Sequence, residues 1–494
     1  MTEIRFSFPS VLSKISPKGT TIRTALVITV YLLALLSFVK ASAADSVIPL
    51  PKLTTEISVE DTPKHRVYGQ LRLEGMKYFT ELPNAANLNY SQFLSGQLSY
   101  IGETAWLENA ADISAGTFFS MNQSHLVVHE LYTSPRTQDY RVYVGRKKNN
   151  WSEADHEWNL GIWQPYFELD ALRPEEQGLT GVFFDVNREN WQVMALVTPI
   201  FIPSMSASVR EEDGSLVADS RWYHAPSREA DLINNKPTPI TYQLSIPETA
   251  KLAGHGGSAL FARAGNKENG FWMTGSAGYT PVNQLLLKRN VKYQINKDVG
   301  VTVSPDVTYH TVVSADMGYT LGSARAIVSY IQDNPQEKAP DQDWVIQKLS
   351  GIRAYSGSLE WIIPKFFTRS ILMQISYLRV DGGQIQDTGS DGQPDDLNLY
   401  DQRLKFTNAV RVKVQGELAR IYRKPLVMKF SQLYDQDQKG SMVNTEFLFY
   451  PSQQWALVMG ADFLGTDDET LRPTGFLNQY RANDRVYGGM TYVF

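Results

Sequence analysis

The chain has 494 residues, 43% of them apolar, a formal net charge of -5 and no cysteine. The missing thiols exclude thiolate metal sites and thiol nucleophiles, and they suit a chain exported through an oxidising compartment. The acidic balance does not favour nucleic acid as a partner. No segment after the N-terminus approaches the ~18 apolar residues of a spanning helix.

Lys14, Lys18 and Arg23 precede an apolar run from Ala25 to Val39, followed by Ala41-Ser42-Ala43. Charged n-region, short apolar stretch and small-x-small site predict a secretory signal peptide over 1–43. The run falls short of the ~20 residues that an anchor helix needs. Residues 44–64 read as a polar periplasmic lead-in, and 65–494 as one architecture without internal repeats.

Strand-like alternation begins at Val67–Gly75, where Val67, Leu71 and Leu73 oppose Gln70, Arg72 and Glu74. Side chains of a strand point alternately to opposite faces, so one face here is apolar and the other polar. The stretch from His129 to Gly181 breaks the pattern. It is rich in Trp and Pro, and long structureless loops in compact proteins are usually functional or disordered. That composition argues against disorder. Its charged residues Arg146, Glu153, Asp155, Asp170, Arg173 and Glu175 are the first functional candidates. Trp151, Trp158 and Trp163 are candidate stacking surfaces for sugar rings.

Alternation resumes at Val182–Asn187, with Val182, Phe184 and Val186 against Asp185 and Asn187. It returns at Leu285–Asn296, with Leu285, Leu287, Val291, Tyr293 and Ile295 on one face and Lys288 and Lys292 on the other. Asp387, Asp391 and Asp395 lie in an acidic, Gly-containing segment. Calcium takes carboxylate and carbonyl oxygens from such loops. Gly389 and the lack of a Glu at the twelfth position depart from the helix-loop-helix pattern. The segment is similar to acidic Asp-Gly calcium repeats, and it also suits a solvated external loop. In Arg403–Glu417, Leu404, Phe406, Val410, Val412 and Val414 oppose Arg403, Lys405, Arg411 and Lys413. With Lys288 and Lys292, these basic residues form a ladder. It either attracts anionic solutes or solvates a wide lumen opposite Glu74, Asp185, Glu417 and Glu446.

Short turns near 134–138, 188–190, 313–315, 364–368, 423–425 and 451–452 alternate with longer polar segments. Those sit near 81–91, 147–179, 202–240, 333–348, 382–400 and 466–483. Short turns at one end and long loops at the other, joined by strands of ten or more residues, describe a transmembrane barrel. The expected fold is all-β: a single antiparallel up-and-down barrel of about 16–20 strands.

The chain closes on Asp-Arg-Val-Tyr-Gly-Gly-Met-Thr-Tyr-Val-Phe, with Phe494, Tyr492, Met490, Gly488 and Val486 on one face. An edge that apolar is an aggregation hazard in water, but pairs with the first strand in a closed barrel. This strand resembles the terminal strand of bacterial outer-membrane proteins. The resemblance implies an outer-membrane location in the lipid bilayer and recognition of the Phe494 strand by the insertion machinery. Tyr143–Asp155, a strand ending in Gly-Arg before Trp-Ser-Glu-Ala-Asp, resembles a segment of porin-like and alginate-export-like barrels. In porin-type barrels a long loop often folds inward, which implies that 147–179 narrows the pore. The resemblance therefore implies a channel for small hydrophilic solutes and ions, with a homo-oligomer also expected. The alternatives are a substrate-specific channel for sugars or acidic polysaccharide, and a non-conducting surface barrel.

No Gly-x-Ser-x-Gly, His-Glu-x-x-His or phosphate loop occurs. Ser124 and His125 are adjacent on a strand and face opposite sides. No cofactor beyond the candidate calcium and no enzymatic activity is expected.

Overall fold

The computed structural model describes residues 65–494 apart from 83–84, 105, 136, 138, 234–235, 294–298, 339–342, 367–368, 389–393, 401–403, 469 and 471–473. The expected signal peptide and lead-in fall outside the described residues.

Eighteen strands make one closed antiparallel barrel. They are β1 (His65–Tyr78), β2 (Tyr90–Glu103), β3 (Leu107–Phe118), β4 (Gln123–Pro135), β5 (Arg141–Lys147) and β6 (Leu179–Arg188). Next come β7 (Trp191–Thr198), β8 (Gly257–Gly265), β9 (Gly270–Pro281), β10 (Tyr309–Leu321), β11 (Ala324–Pro335) and β12 (Ile352–Phe366). The circle ends with β13 (Arg369–Gly382), β14 (Asn408–Ile421), β15 (Lys424–Asp435), β16 (Gly440–Phe449), β17 (Trp455–Thr466) and β18 (Arg485–Val493). Each strand pairs with its neighbours in sequence, and β1 pairs with both β2 and β18. Closure leaves no free edge in the wall.

The alternation read from the sequence sorts the two faces. Leu71 is 51% exposed and Leu73 46%, whereas Glu74 between β1's outward residues is 1% exposed. Val182, Phe184, Leu260, Phe271, Val328 and Met459 point outward, while Asp185, Thr274, Ser276, Asp316, Arg411 and Asp462 are buried. The apolar surface is on the outside and the polar groups are inside, the inverse of a water-soluble domain. Only lipid makes that arrangement favourable, and a closed barrel satisfies its backbone there without water.

One end carries tight turns, including 189–190, 322–323 and 422–423. Tyr422 and Arg423 both adopt positive φ, at 49° and 65°, the mirror-image turn whose twist matches the flanking strands. The other end carries the long excursions 148–178, 199–256, 282–308, 336–351, 383–407 and 467–484. The expected two classes of connection are thus present, with three corrections.

The turn expected near 313–315 does not exist, because Tyr309–Leu321 is one strand. Its Ser314 and Asp316 are lumen-facing polar residues, not turn residues, and Val313 and Met317 face out. Leu285–Asn296 contributes Leu286–Tyr293, but to a separate seven-stranded sheet built from the excursions, not to the barrel. There Val291 packs into the sheet's core and Lys292 is exposed, as expected, but Leu286 is buried in a second cluster while Leu287 is exposed. In Arg403–Glu417 the strand begins only at Asn408; Leu404 and Phe406 are buried ahead of it, and Arg403 lies outside the described residues.

Candidate functional site: a segment folded into the lumen

Residues 148–178 leave β5 and turn into the barrel. Their one helix, α1 (Glu153–Trp158), packs against β11 and β12 on the far wall. Apolar weight drives this. Trp151, Ala154, Trp158, Leu160, Ile162 and Trp163 are buried with Phe183, Met194 and Phe261 of the wall in one cluster. Trp151 and Trp163 stack at 5.3 Å. The three tryptophans are 1%, 3% and 4% exposed. They are core, and none offers a face to a sugar ring.

The backbone of the segment is held by the wall. Ser276 and Ser314 both donate to the Trp151 carbonyl, at 2.6 and 3.1 Å, and Trp158 Nε1 donates to Ser356 Oγ at 2.9 Å. Asp155 accepts the backbone N–H groups of Ile162 and Trp163 at 2.9 and 3.1 Å, closing the segment's own turn. Burial lifts its carboxyl to about 6, although those two donors favour the charged form.

Ion pairs join the segment to strands all round the barrel. Glu153 meets Lys267 at 2.7 Å and Arg325 at 3.4 Å. Glu157 is held by Arg411 and by Lys413, the latter at 3.1 Å. Glu168 meets Lys405 at 3.0 Å, Asp170 meets Arg485 at 2.8 Å, and Arg173 meets Glu74 at 2.6 Å. Arg146 sits at the segment's root, donating to the Gly178 carbonyl at 2.9 Å and to Gln177. Burial acts to raise the pKa values of Glu153, Glu157 and Asp170, but their cationic partners outweigh it and hold all three below the usual carboxylate range.

The basic ladder therefore divides. Lys405, Arg411 and Lys413 do point inward, yet they grip the segment's carboxylates. Their partners are not the wall acids expected from the sequence. Glu417 pairs with Arg369 and Arg420, Glu446 with Lys429, and Asp185 accepts from Gln192. Lys288 and Lys292 sit in the external sheet and take no part in the lumen. Asp387 and Asp395 fall in external strands whose side chains are not among those described, and Asp391 lies outside the described residues.

Space remains between the segment and the wall formed by β1 to β4. Two adjoining cavities, of about 320 and 290 Å³, share Arg72, Phe93, His125 and Glu175 as lining. The first continues past Gln97, Asp112, Lys148 and Glu176, and the second past Phe118, Phe167, Asp170 and Arg173. Of the six charged candidates in 143–181, Asp170, Arg173 and Glu175 line this space; Arg146, Glu153 and Asp155 do not. Arg72, Asp112 and Lys148 escaped the sequence reading. Arg72 was legible as the polar side of β1, but nothing in the sequence ranks it above any other inward residue. A β-bulge in β4 at His129, opposite Asp112 and Ile113 of β3, places His129 within 2.9 Å of Ser114.

Above this level the excursion 199–256 crosses the external mouth. Arg221 donates to Asn483 Oδ1, Asn89 Oδ1, Thr80 O and Ala482 O at 3.0, 3.1, 2.9 and 2.6 Å, and lies over the Tyr78 ring at 4.3 Å. Trp222 stacks on Phe476. The same excursion meets the inner segment, where Met205 and the Tyr166–Glu168 backbone exchange hydrogen bonds of 2.9 and 2.7 Å.

No protein-family model matches the chain, and no curated protein matches its sequence. Among solved structures, a loop L8 deletion mutant of OmpT, an outer membrane protein of Vibrio cholerae, is 10% identical, with 87% of this chain and 99% of that one covered and a TM-score of 0.37. OmpF of Salmonella typhi in complex with daunomycin is 9% identical, over 87% and 97%, with a TM-score of 0.39. OccAB3 of Acinetobacter baumannii is 10% identical, over 87% and 99%, with a TM-score of 0.41. Likeness this distant adds nothing to what the barrel itself shows. By its closure and its apolar exterior, the chain folds as a membrane-spanning antiparallel β-barrel of 18 strands.

Proposed function

We propose that this barrel is a channel of the bacterial outer membrane that passes small hydrophilic solutes and ions down their gradients. The observation that carries this reading is the polar space left between the 148–178 segment and the β1–β4 wall. Its adjoining cavities of about 320 and 290 Å³ are lined by ionised groups of both signs. Charged linings set which solutes enter through the local field. In this reading Arg72, Lys148, Arg173, Glu175 and Glu176 form the constriction. Arg146, Glu153, Lys405, Arg411 and Lys413 hold the segment that creates it. The Phe494 strand serves as the signal read at insertion.

Planar-bilayer recording from folded, heat-modifiable protein tests the proposal. Stepwise ohmic currents in KCl are expected. Folded protein that inserts yet never conducts would sink it. Cross-linking of the same sample in detergent tests the expected homo-oligomer.

A further inference from the structure

The two cavities differ in character, and they meet at one place. On the external side Phe93 and Phe118 stack at 4.3 Å, His125 lies 4.8 Å from the Phe167 ring, and Met76 and Leu169 complete an apolar patch. On the periplasmic side the lining is Gln70, Gln97, Asp112, Lys148 and Glu176. Met76, Phe118, Phe167 and Leu169 are buried together and seat the inner segment on the wall, whereas Phe93 and His125 are only half-buried and present an apolar, aromatic face to the space.

The junction carries two opposite charges. Arg72 projects from β1 and Glu175 from the inner segment, and both line both cavities. Their side chains are 30% and 42% exposed, and they are the two charged residues that line both cavities. Each is only half used. Arg72 turns Nε and Nη2 to Glu74, leaving Nη1, and Glu175 turns Oε2 to Ser114 and His129, leaving Oε1 without a partner among the described residues.

We infer that this junction is a binding site for a zwitterion bearing an apolar side chain, meaning a free apolar or aromatic amino acid or a short peptide of them. This rests on the channel reading and names its preferred solute. The carboxylate lies against Arg72, the ammonium against Glu175, and the side chain against the half-buried rings of Phe93 and His125. Charge-assisted hydrogen bonds at both ends hold a solute that has both charges better than one that has either alone. A neutral sugar gains neither, and a simple anion meets Glu175 as well as Arg72.

Block of the single-channel current reads this out, with L-phenylalanine and phenylalanyl-phenylalanine as probes. Phenethylamine lacks the carboxylate, N-acetyl-phenylalanine lacks the ammonium, and glucose lacks both. Each variant's own open current serves as its reference. Concentration-dependent block by the two zwitterions is expected, with the half-blocking concentration roughly tenfold higher for either single-charge analogue. Arg72→Gln should weaken phenylalanine to about that extent while leaving phenethylamine unchanged, and Glu175→Gln should do the converse with N-acetyl-phenylalanine. A conducting barrel that phenylalanine does not block, or blocks no better than glucose, overturns the inference and leaves the channel reading intact. If the barrel does not conduct, calorimetric titration of the folded protein with phenylalanine decides the site alone. Binding weakened by Arg72→Gln supports it, and no heat of binding overturns it.

Discussion

Gly69 and Phe494 close the barrel on each other: each donates its backbone N–H to the other's carbonyl, at 3.0 and 2.9 Å, and the Phe494 ring covers the position a Gly69 side chain would fill. A Cβ at Gly69 would stand 2.3 Å from Phe494 Cζ. The last residue of the chain and the fifth of β1 are thus fitted as a pair.

This fit makes the first prediction. Gly69→Val must displace the ring from the seam at a cost of about 1–3 kcal/mol, lowering the heat-modifiable folded fraction. In protein refolded into detergent, where no insertion machinery reads the strand, Phe494→Ala in the same chain should recover part of that loss, because it removes the clash and keeps the backbone pair. Electrophoretic mobility before and after heating measures both. A double variant worse than the sum of the two singles would contradict the fit.

Arg411 offers the second prediction. It grips Glu157 and also lies over the Trp158 ring at 4.3 Å. Arg411→Ala leaves the part-buried Glu157 carboxylate short of a partner, and breaking a fully buried pair costs about 3 kcal/mol or more. Glu157 keeps Lys413, so the loss should sit at the low end. The inner segment should then leave its seat part of the time, seen as larger and noisier single-channel currents. Currents identical to those of the parent chain would show that this anchor does not hold the segment.

The third concerns the mouth. Removing the Arg221 guanidinium takes four hydrogen bonds from excursion 199–256. Arg221→Ala should therefore leave the wall folded, with heat modifiability unchanged, and make 199–256 more open to external protease. Since the Glu168 N–H donates to the Met205 carbonyl and the Tyr166 N–H to Ser204 Oγ, amide exchange at Tyr166 and Glu168 should also quicken. Faster exchange confined to 199–256 would show the two layers to be independent.

Acid provides the fourth. Glu153, Glu157 and Asp170 have lowered pKa values in the folded barrel, set by burial opposed and outweighed by Lys267, Arg411 and Arg485 respectively. A lowered carboxylate contributes stability that is present above its unfolded pKa of about 4 and lost as pH falls through the folded value. Asp155, raised to about 6 by burial, has the opposite sign. It favours the folded segment more as pH falls from 7 to 5, since the folded state takes up its proton first. The segment should stay seated between pH 7 and 5 and release only below about pH 4. Conductance recorded across that range checks this; opening near pH 5 would contradict it.

Much of the wall was readable because the strand period is local. Val67, Leu71 and Leu73 declare their face against Gln70, Arg72 and Glu74 without knowledge of any partner. The same holds for Val182 and Phe184, and for the Phe494 strand. Errors arose where polarity had two explanations. Ser314 and Asp316 resemble turn residues, but they are the wet side of a strand. Leu286–Tyr293 alternates as a barrel strand does, yet builds the external sheet.

The sequence by itself therefore determined a closed barrel, its two faces and the excursion most in need of explanation. It could not determine what that excursion touches. Trp151, Trp158 and Trp163 read as candidate platforms for a sugar ring, and only packing against Phe183, Met194 and Phe261 makes them core. Arg411 and Lys413 read as a ladder facing water, and only the arrival of Glu157 makes them anchors. The physical reason is range. Alternation is fixed between residues two apart, whereas Arg411 and Glu157 are 254 residues apart and meet only once the wall has curved shut around the segment. The junction of Arg72 and Glu175 is of the same kind: it exists only because the barrel brings its first strand to the edge of what fills it.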